Sequence, residues 1–314
     1  MIEVPQDLCD TVVTLGTFDG VHRGHRKLLE RTAQITRERQ TKSVAFTFPY
    51  SPKYDLEGRE PELILPVWAK VKAIQGCGID YILLTEFQTV RLMSPRMFVE
   101  DVLIGKLNAA CVVVGFNHRF GRDRAGDMER LKALGREHDF DVVVVPPVIV
   151  GGQAVSSTTV RQAIRAGALD VAAELLGYYP LLFGTVVPGD QLGRTLGFPT
   201  ANLKIEHGVF TPATGIYAVK ASFDGEEWPA VMYIGRRPTF GHHRQSFEVH
   251  LFDPELSEDL YGVELKVKLI RRIRDDQKFP DSRSLKKQVA EDVEAVKSLF
   301  RQDLTELPDP IVPG

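Results

Sequence analysis

Five short apolar runs constrain the first half of this chain more than any other feature. They are TVVTLG (Thr11–Gly16), SVAFTF (Ser43–Phe48), YILLTEF (Tyr81–Phe87), ACVVVGF (Ala110–Phe116) and DVVVVPPV (Asp141–Val148). Each is short and apolar without interruption, so each reads as a strand covered on both faces. Helix-like segments separate them: Arg23–Arg39, Val67–Gly76, Pro95–Leu107, Met128–Glu137 and Ser157–Leu176. Strands alternating with helices predict an open, mostly parallel α/β sheet. Ligands of such sheets bind at the carboxyl ends of the strands, in loops that lead into helices.

From about residue 181 the texture changes. LLFGTVV, TANLKI, GIYAVKASF, WPAVMYIG, SFEVHLF and VELKVKLIRRI read as strands separated by Gly, Pro and Asp turns. Several alternate apolar and polar residues, as half-buried antiparallel strands do. Five or six such strands predict a small barrel. One helix follows, with Leu285, Val289, Val293, Val296 and Phe300 on a single apolar stripe. The Pro-rich tail LPDPIVPG is expected to fray. Two domains result, residues 1–180 and 181–314.

The 314 residues suffice for two cores. A hydrophobic share of 43% and a charged share of 26% fit a soluble globular chain. A net charge of -3 excludes a global attraction to nucleic acid, so any polyanion site is local. No apolar run approaches the roughly 18 residues of a membrane span, and the N-terminus MIEVPQDLCD does not read as a signal peptide. Cys9, Cys77 and Cys111 form neither a metal pattern nor a disulfide framework, which fits a cytoplasmic location.

The loop LGTFDGVHRGH (Leu15–His25) follows the first strand and opens a helix. Gly16, Gly20 and Gly24 admit close backbone approach, and a helix N-terminus attracts phosphate. His22 and His25 are three apart, near one face of the first turn. Imidazoles there can donate hydrogen bonds to an anion whose charge grows during reaction. The alternatives are a capped turn with two surface histidines, or a zinc site lacking a nearby third ligand.

Two further segments follow strands and precede helices. GFNHRFGRDRAGD (Gly115–Asp127) carries Asn117, His118, Arg119, Arg122 and Arg124, and also reads as a solvated basic loop. VSSTTVRQAI (Val155–Ile164) offers Ser156 or Ser157 as a helix cap, with Arg161 one turn in. Its other reading is a second phosphate-facing helix N-terminus. In the second half, LGRTLGFPTANL holds Thr200 and Asn202, whose side chains share one side of an extended segment. A hydroxyl and an amide oxygen make a hard-oxygen partial shell for Mg²⁺. In FEVHLFD, Phe247, Val249 and Leu251 face one way and Glu248 and His250 the other.

The three segments of the first half resemble the signature segments of the bacterial bifunctional riboflavin kinase/FAD synthetase family. PTAN and FEVHLFD resemble the kinase half of the same family, and the likeness covers about residues 10 to 300. The resemblance implies a Rossmann-like nucleotidyltransferase domain with a parallel sheet, and a small antiparallel riboflavin kinase-like β-barrel closed by a helix. It implies that the barrel phosphorylates riboflavin to FMN and that the α/β domain adenylylates FMN to FAD, with ATP as co-substrate, Mg²⁺ as cofactor and pyrophosphate released. It assigns catalysis to His22, His25 and Glu248, the last as base. Nucleotide or phosphate contacts fall to Gly16, Phe18, Asp19, Gly24, Asn117, Ser157, Thr158, Arg161, Gly193, Gly197, Thr200 and Asn202. Metal contacts fall to Thr200 and Asn202, and flavin contacts to Phe48 and Arg274, the latter also open to a surface salt bridge. No nucleic-acid or membrane partner is expected, and the chain is expected to be a monomer or weak homo-oligomer.

The chain departs from the family pattern at three points. Thr17 stands where Asn is usual, Tyr50 and Ser51 occupy a stretch where a PHP triplet is usual, and Tyr233 replaces a common Asn. Besides a bifunctional enzyme, two alternatives therefore stand. One is a kinase with a weak or structural adenylyltransferase domain, and the other is a non-catalytic flavin or nucleotide regulator.

Overall fold

The computed structural model describes residues 5, 8–189, 192–239, 242–252, 260–302 and 306–311. Most of the N-terminal MIEVPQ and the last three residues of the tail lie outside the described residues. The chain divides into two compact units between Ser157 and Thr158, and Pro310 and Ile311 group with the first.

In the first unit, β1 (Thr11–Leu15), β2 (Ser43–Thr47), β3 (Tyr81–Leu84), β4 (Ala109–Gly115) and β5 (Asp141–Val145) form one sheet in the order β3-β2-β1-β4-β5. Every neighbouring pair is parallel. The helices are α1 (Arg23–Arg39), α2 (Pro52–Glu57), α3 (Val67–Gln75), α4 (Phe87–Val90), α5 (Pro95–Met97, prolonged by the π-helical run Phe98–Ile104) and α6 (Met128–Glu137). A short hairpin of β6 (Ile149–Val150) and β7 (Gln153–Ala154) follows β5. All five residues of β1 and of β2 are buried, the hydroxyl residues Thr11, Thr14, Ser43 and Thr47 included, as central strands covered on both faces require.

The strand order decides where a ligand fits. The chain runs outward from β1 through β2 to β3, then returns to the other flank of β1 as β4. The order reverses between β1 and β4, and it is at such a switch point, outside the carboxyl ends of the strands, that open sheets of this kind bind ligands. The loops after β1 and β4 leave the sheet at that end.

The second unit is a closed barrel of β8 (Leu181–Val187), β9 (Ala201–Ile205), β10 (Gly215–Phe223), β11 (Glu226–Thr239), β12 (His242–Leu251) and β13 (Glu264–Asp275). Its order is β10-β11-β12-β9-β8-β13, with antiparallel neighbours throughout. Tyr217, Met232, Phe247, Val249, Leu251 and Val267 fill the interior. Helix α10 (Ser282–Phe300) covers part of the outer face, packing Val293, Val296 and Leu299 on Ile216, Ala218 and Val231. A short helix α9 (Leu192–Leu196) precedes β9. No helix among the described residues is long and apolar enough to cross a membrane.

Local chemistry explains where elements depart from the sequence expectations. The expected helix Ser157–Leu176 is two helices, α7 (Ser157–Ala166) and α8 (Leu169–Leu176), broken at Gly167, whose φ of 72° is left-handed. Both group with the barrel unit, and Leu169 joins the barrel core. The last strand of the sheet stops at Val145 because Pro146 and Pro147 cannot donate to a ladder. Helix α2 starts on Pro52, a residue pre-set for a first helical turn. The tail is anchored where described. Lys266 Nζ donates to Asp309 at 2.6 Å, Lys268 Nζ lies 3.5 Å away, and Ile311 is buried.

Candidate functional site

Each unit carries its own cluster of chemistry-bearing residues. In the first, His22 is the N-cap of α1, with extended backbone. Its Nδ1 accepts the His25 N–H at 3.3 Å. The two rings stack with centroids 3.6 Å apart and planes 15° from parallel. A Cβ at Gly24 would stand 3.2 Å from the His22 ring, so glycine is what lets that ring lie flat against the turn. Phe18 is wholly buried, holds a left-handed φ of 49°, and meets His25 edge-on at 5.4 Å, with Gly16 against its ring.

Electrostatics keep His25 neutral. Burial, the stacked His22 ring and the nearby Lys70 ammonium hold its pKa well below the ordinary imidazole value. Its Nδ1 is buried without a hydrogen-bond partner. The buried Asp19 carboxylate accepts the Ile64 N–H at 2.9 Å, so the side chains of Phe18 and Asp19 both turn into the protein.

Ser157 Oγ donates to the Asp19 carbonyl at 2.9 Å, which brings the third signature segment onto the first. Thr158 and Arg161 lie on the first turns of α7, in the second unit. On the segment after β4, Asn117 is exposed, Arg119 lies 3.5 Å from Asp127 and Arg122 lies 3.7 Å from Asp123. Phe48 follows β2, half-buried, with Phe46 and Phe87 edge-on to it.

His118 differs from its basic neighbours. Its ring stacks on Phe120 at 6.1 Å and 13°, and its Nε2 is buried without a partner. Burial and Arg124 push its pKa down to about 4. A folded pKa below the unfolded value means that only the unfolded chain takes up the proton between the two, so stability falls as pH drops from about 6.5 towards 4. At pH 5 this costs the first unit about 2 kcal/mol. His118→Phe is expected to abolish that loss while keeping the stack. The check is the difference in unfolding temperature between pH 7.5 and pH 5 for both proteins.

In the barrel, Glu248 sits in register with Tyr233 of β11 and Asn202 of β9 on the outer face. Thr200 Oγ1 lies 3.5 Å from Glu248 Oε2. Two residues along, His250 Nδ1 meets the Pro199 carbonyl at 2.8 Å, with Phe198 edge-on to its ring. These contacts tie the PTAN segment to β12. Gly193 lies in α9 and its carbonyl accepts the Phe198 N–H at 2.8 Å, and Gly197 follows the helix with a φ of 87°. A Cβ at Gly189 would overlap the Asn202 amide, so the chain is open there to seat it. The Thr200 hydroxyl and the Asn202 amide oxygen form a hard-oxygen partial shell that fits Mg²⁺, with the Glu248 carboxylate beside them. Burial, Asp276 and Glu248 push the Tyr233 phenol up to about 12.

Arg274 is held by Asp292 of α10. Its Nε and Nη2 donate to the two carboxylate oxygens at 2.8 and 2.7 Å. Asp292 is buried, which makes this fork a brace between β13 and α10. Asp292→Ala would leave a half-buried guanidinium unpaired. It is expected to cost about 2 kcal/mol, below the full penalty of a buried pair because Arg274 keeps some solvent. Urea unfolding of the barrel unit measures it.

Among the described residues, the one group of His, Cys, Asp and Glu close enough for a metal is Glu100, Glu137 and His138. Arg96 Nη1 already takes both glutamates, and neither His22 nor His25 belongs to it. Lys70 and Asp292 escaped the sequence reading. Each had a signal. Lys70 lies four before Ile74 on the apolar stripe of α3, and Asp292 adjoins Val293 on that of α10.

Comparison with known proteins agrees with this division. A family model described as FAD synthetase matches residues 4–159, and one described as riboflavin kinase matches residues 176–300. A bifunctional riboflavin kinase/FMN adenylyltransferase of Escherichia coli (strain K12) is 38% identical over 95% of both chains. Its counterpart in Bacillus subtilis (strain 168) is 34% identical over 92% of both. A crystal structure from Streptococcus pneumoniae, described as a macrolide-efflux protein, is 34% identical and superposes with a TM-score of 0.84 over 94% of this chain and 95% of that one. With both family models matched in order, and relatives this similar across nearly the whole length, the chain belongs to the bifunctional riboflavin kinase/FMN adenylyltransferase family.

Proposed function

We propose that this protein makes FAD in two ATP-dependent steps, with residues 181–314 phosphorylating riboflavin to FMN and residues 1–180 adenylylating FMN. The observation that carries the reading is that one chain holds two separate clusters, a stacked imidazole pair of His22 and His25 at the start of α1 and an oxygen-rich group of Thr200, Asn202 and Glu248 on the barrel. The clusters match the chemistry of the two steps. In the kinase step, Glu248 accepts the proton of the riboflavin 5′-hydroxyl as that oxygen attacks the γ-phosphorus of ATP and ADP departs. Thr200 and Asn202 would hold Mg²⁺, which when bound neutralises phosphate charge.

In the adenylyl step, an FMN phosphate oxygen attacks the α-phosphorus of ATP and the bond to pyrophosphate breaks. The nucleophile is already an anion, since a phosphate monoester has a second pKa of about 6. No strong base is needed. His22, His25 and the N-terminus of α1 donate to the charge that grows on pyrophosphate. Phe48 and Asn117 contribute to flavin and nucleotide binding. The free thiols of Cys9, Cys77 and Cys111 fit a cytoplasmic protein.

The test is one incubation of the purified protein with riboflavin, ATP and Mg²⁺, followed by chromatography of the flavins. FAD is the expected product. Accumulation that stops at FMN would reduce the protein to a kinase, and no conversion would reject both activities.

A further inference from the structure

Among the described residues of the first unit, Lys70 is the most deeply buried lysine or arginine, with 2% of its surface exposed. Its ammonium donates to three backbone carbonyls, those of Thr17 at 3.3 Å, Phe48 at 2.5 Å and Pro49 at 3.0 Å. Thr17 opens the loop that carries His22, and Phe48 and Pro49 open the loop after β2. Thr47 Oγ1 adds a bond to the same Thr17 carbonyl at 3.2 Å. Three protons meet three acceptors, so the charged amine is fully used and a neutral one could hold only two of the three carbonyls.

We infer that Lys70 is a positioning residue for FMN adenylylation, clamping the loops after β1 and β2 in the spacing that ATP and FMN require. The inference rests on the adenylyl reading of the His22–His25 loop. Its physical basis is charge as well as geometry. Three carbonyl oxygens converging at the ligand-binding end of a sheet would repel an incoming phosphate, and the ammonium cancels that field. Lys70 touches no substrate itself, because its side chain is buried. The Pro49 carbonyl immediately precedes Tyr50 and Ser51, where the chain departs from the family pattern, so the clamp acts on the least conventional stretch of the site.

The titratable groups around Lys70 are Asp19, whose carboxylate favours the ammonium, and the His22–His25 pair, of which His25 is disfavoured as a cation by it. Burial lowers the Lys70 pKa to about 8, which predicts an alkaline limb in the adenylylation profile near that pH.

The experiment uses the full-length protein and measures both steps for wild type, Lys70→Met and Lys70→Arg. Lys70→Met is expected to lower kcat/KM for FAD formation about 10²-fold, chiefly through KM for FMN. Riboflavin phosphorylation by the same preparation is expected to stay within about twofold. Lys70→Arg is expected to restore part of the loss and to move the alkaline limb upward. Lys70→Met with FAD formation within about threefold of wild type would overturn the inference. If Lys70→Met unfolds the first unit, the arginine variant decides, and an alkaline limb that does not move overturns it. His25→Ala in parallel separates the two levels. FAD formation surviving His25→Ala sinks the site reading, whereas loss there with Lys70→Met intact sinks only the clamp.

Discussion

Replacing Glu248 by glutamine is expected to slow riboflavin phosphorylation by about 10²- to 10⁴-fold, the usual contribution of a positioned general base. Conversion of supplied FMN to FAD should be unaffected. Glutamine keeps the size of the side chain and an oxygen for Thr200 Oγ1, so the barrel strands keep their register. What it loses is the capacity to take a proton. The loss should therefore appear in kcat, with KM for riboflavin little changed. Separate coupled assays for ADP and for FAD measure the two steps on one preparation. Equal loss of both, or retention of both, contradicts the assignment of the base.

His25→Ala is expected to slow FAD formation by about 10²- to 10³-fold, the cost of removing one preorganised donor to a developing oxyanion. Phosphorylation of riboflavin should persist. His25 is the cleaner target of the pair, because His22 also caps α1, and losing a cap costs about 1 kcal/mol of stability. His22→Asn keeps an acceptor for the His25 N–H and so separates the cap from the chemistry. Because His25 is neutral in the free protein, it offers one N–H, and FAD formation should not rise as pH falls through the ordinary imidazole range. A rise there, tracking protonation of His25, would mean that an imidazolium does the work.

Much of this was legible in the chain. The five apolar runs are the five strands of the sheet, within a few residues; β1, β2 and β4 are buried as strands covered on both faces, whereas the edge strands β3 and β5 are only partly covered. Helix α1 spans Arg23–Arg39 as its pattern predicts, and the strict alternation around Glu248 separates core from outer face as expected. The break at Gly167 was not legible, since one glycine inside a helical pattern is usually tolerated. The anchored tail was missed because its partners, Lys266 and Lys268, lie about forty residues away.

The sequence by itself determined which residues could do chemistry: imidazoles at a strand-to-helix loop, hard oxygens two apart, and a carboxylate on an alternating strand. Those are local properties, set by spacing and side-chain type. Only the tertiary structure decided how they meet. Strand order put β1 beside β4 and so placed the histidine loop at the switch point of the sheet. Barrel closure set Asn202 beside Glu248 from segments more than forty residues apart. Folding of α3 against the first loop buried Lys70 under three carbonyls that its own neighbours in sequence do not supply. Such partners are long-range in the chain, and a hydrogen bond or a stacked ring depends on distance in space, which residue spacing does not encode.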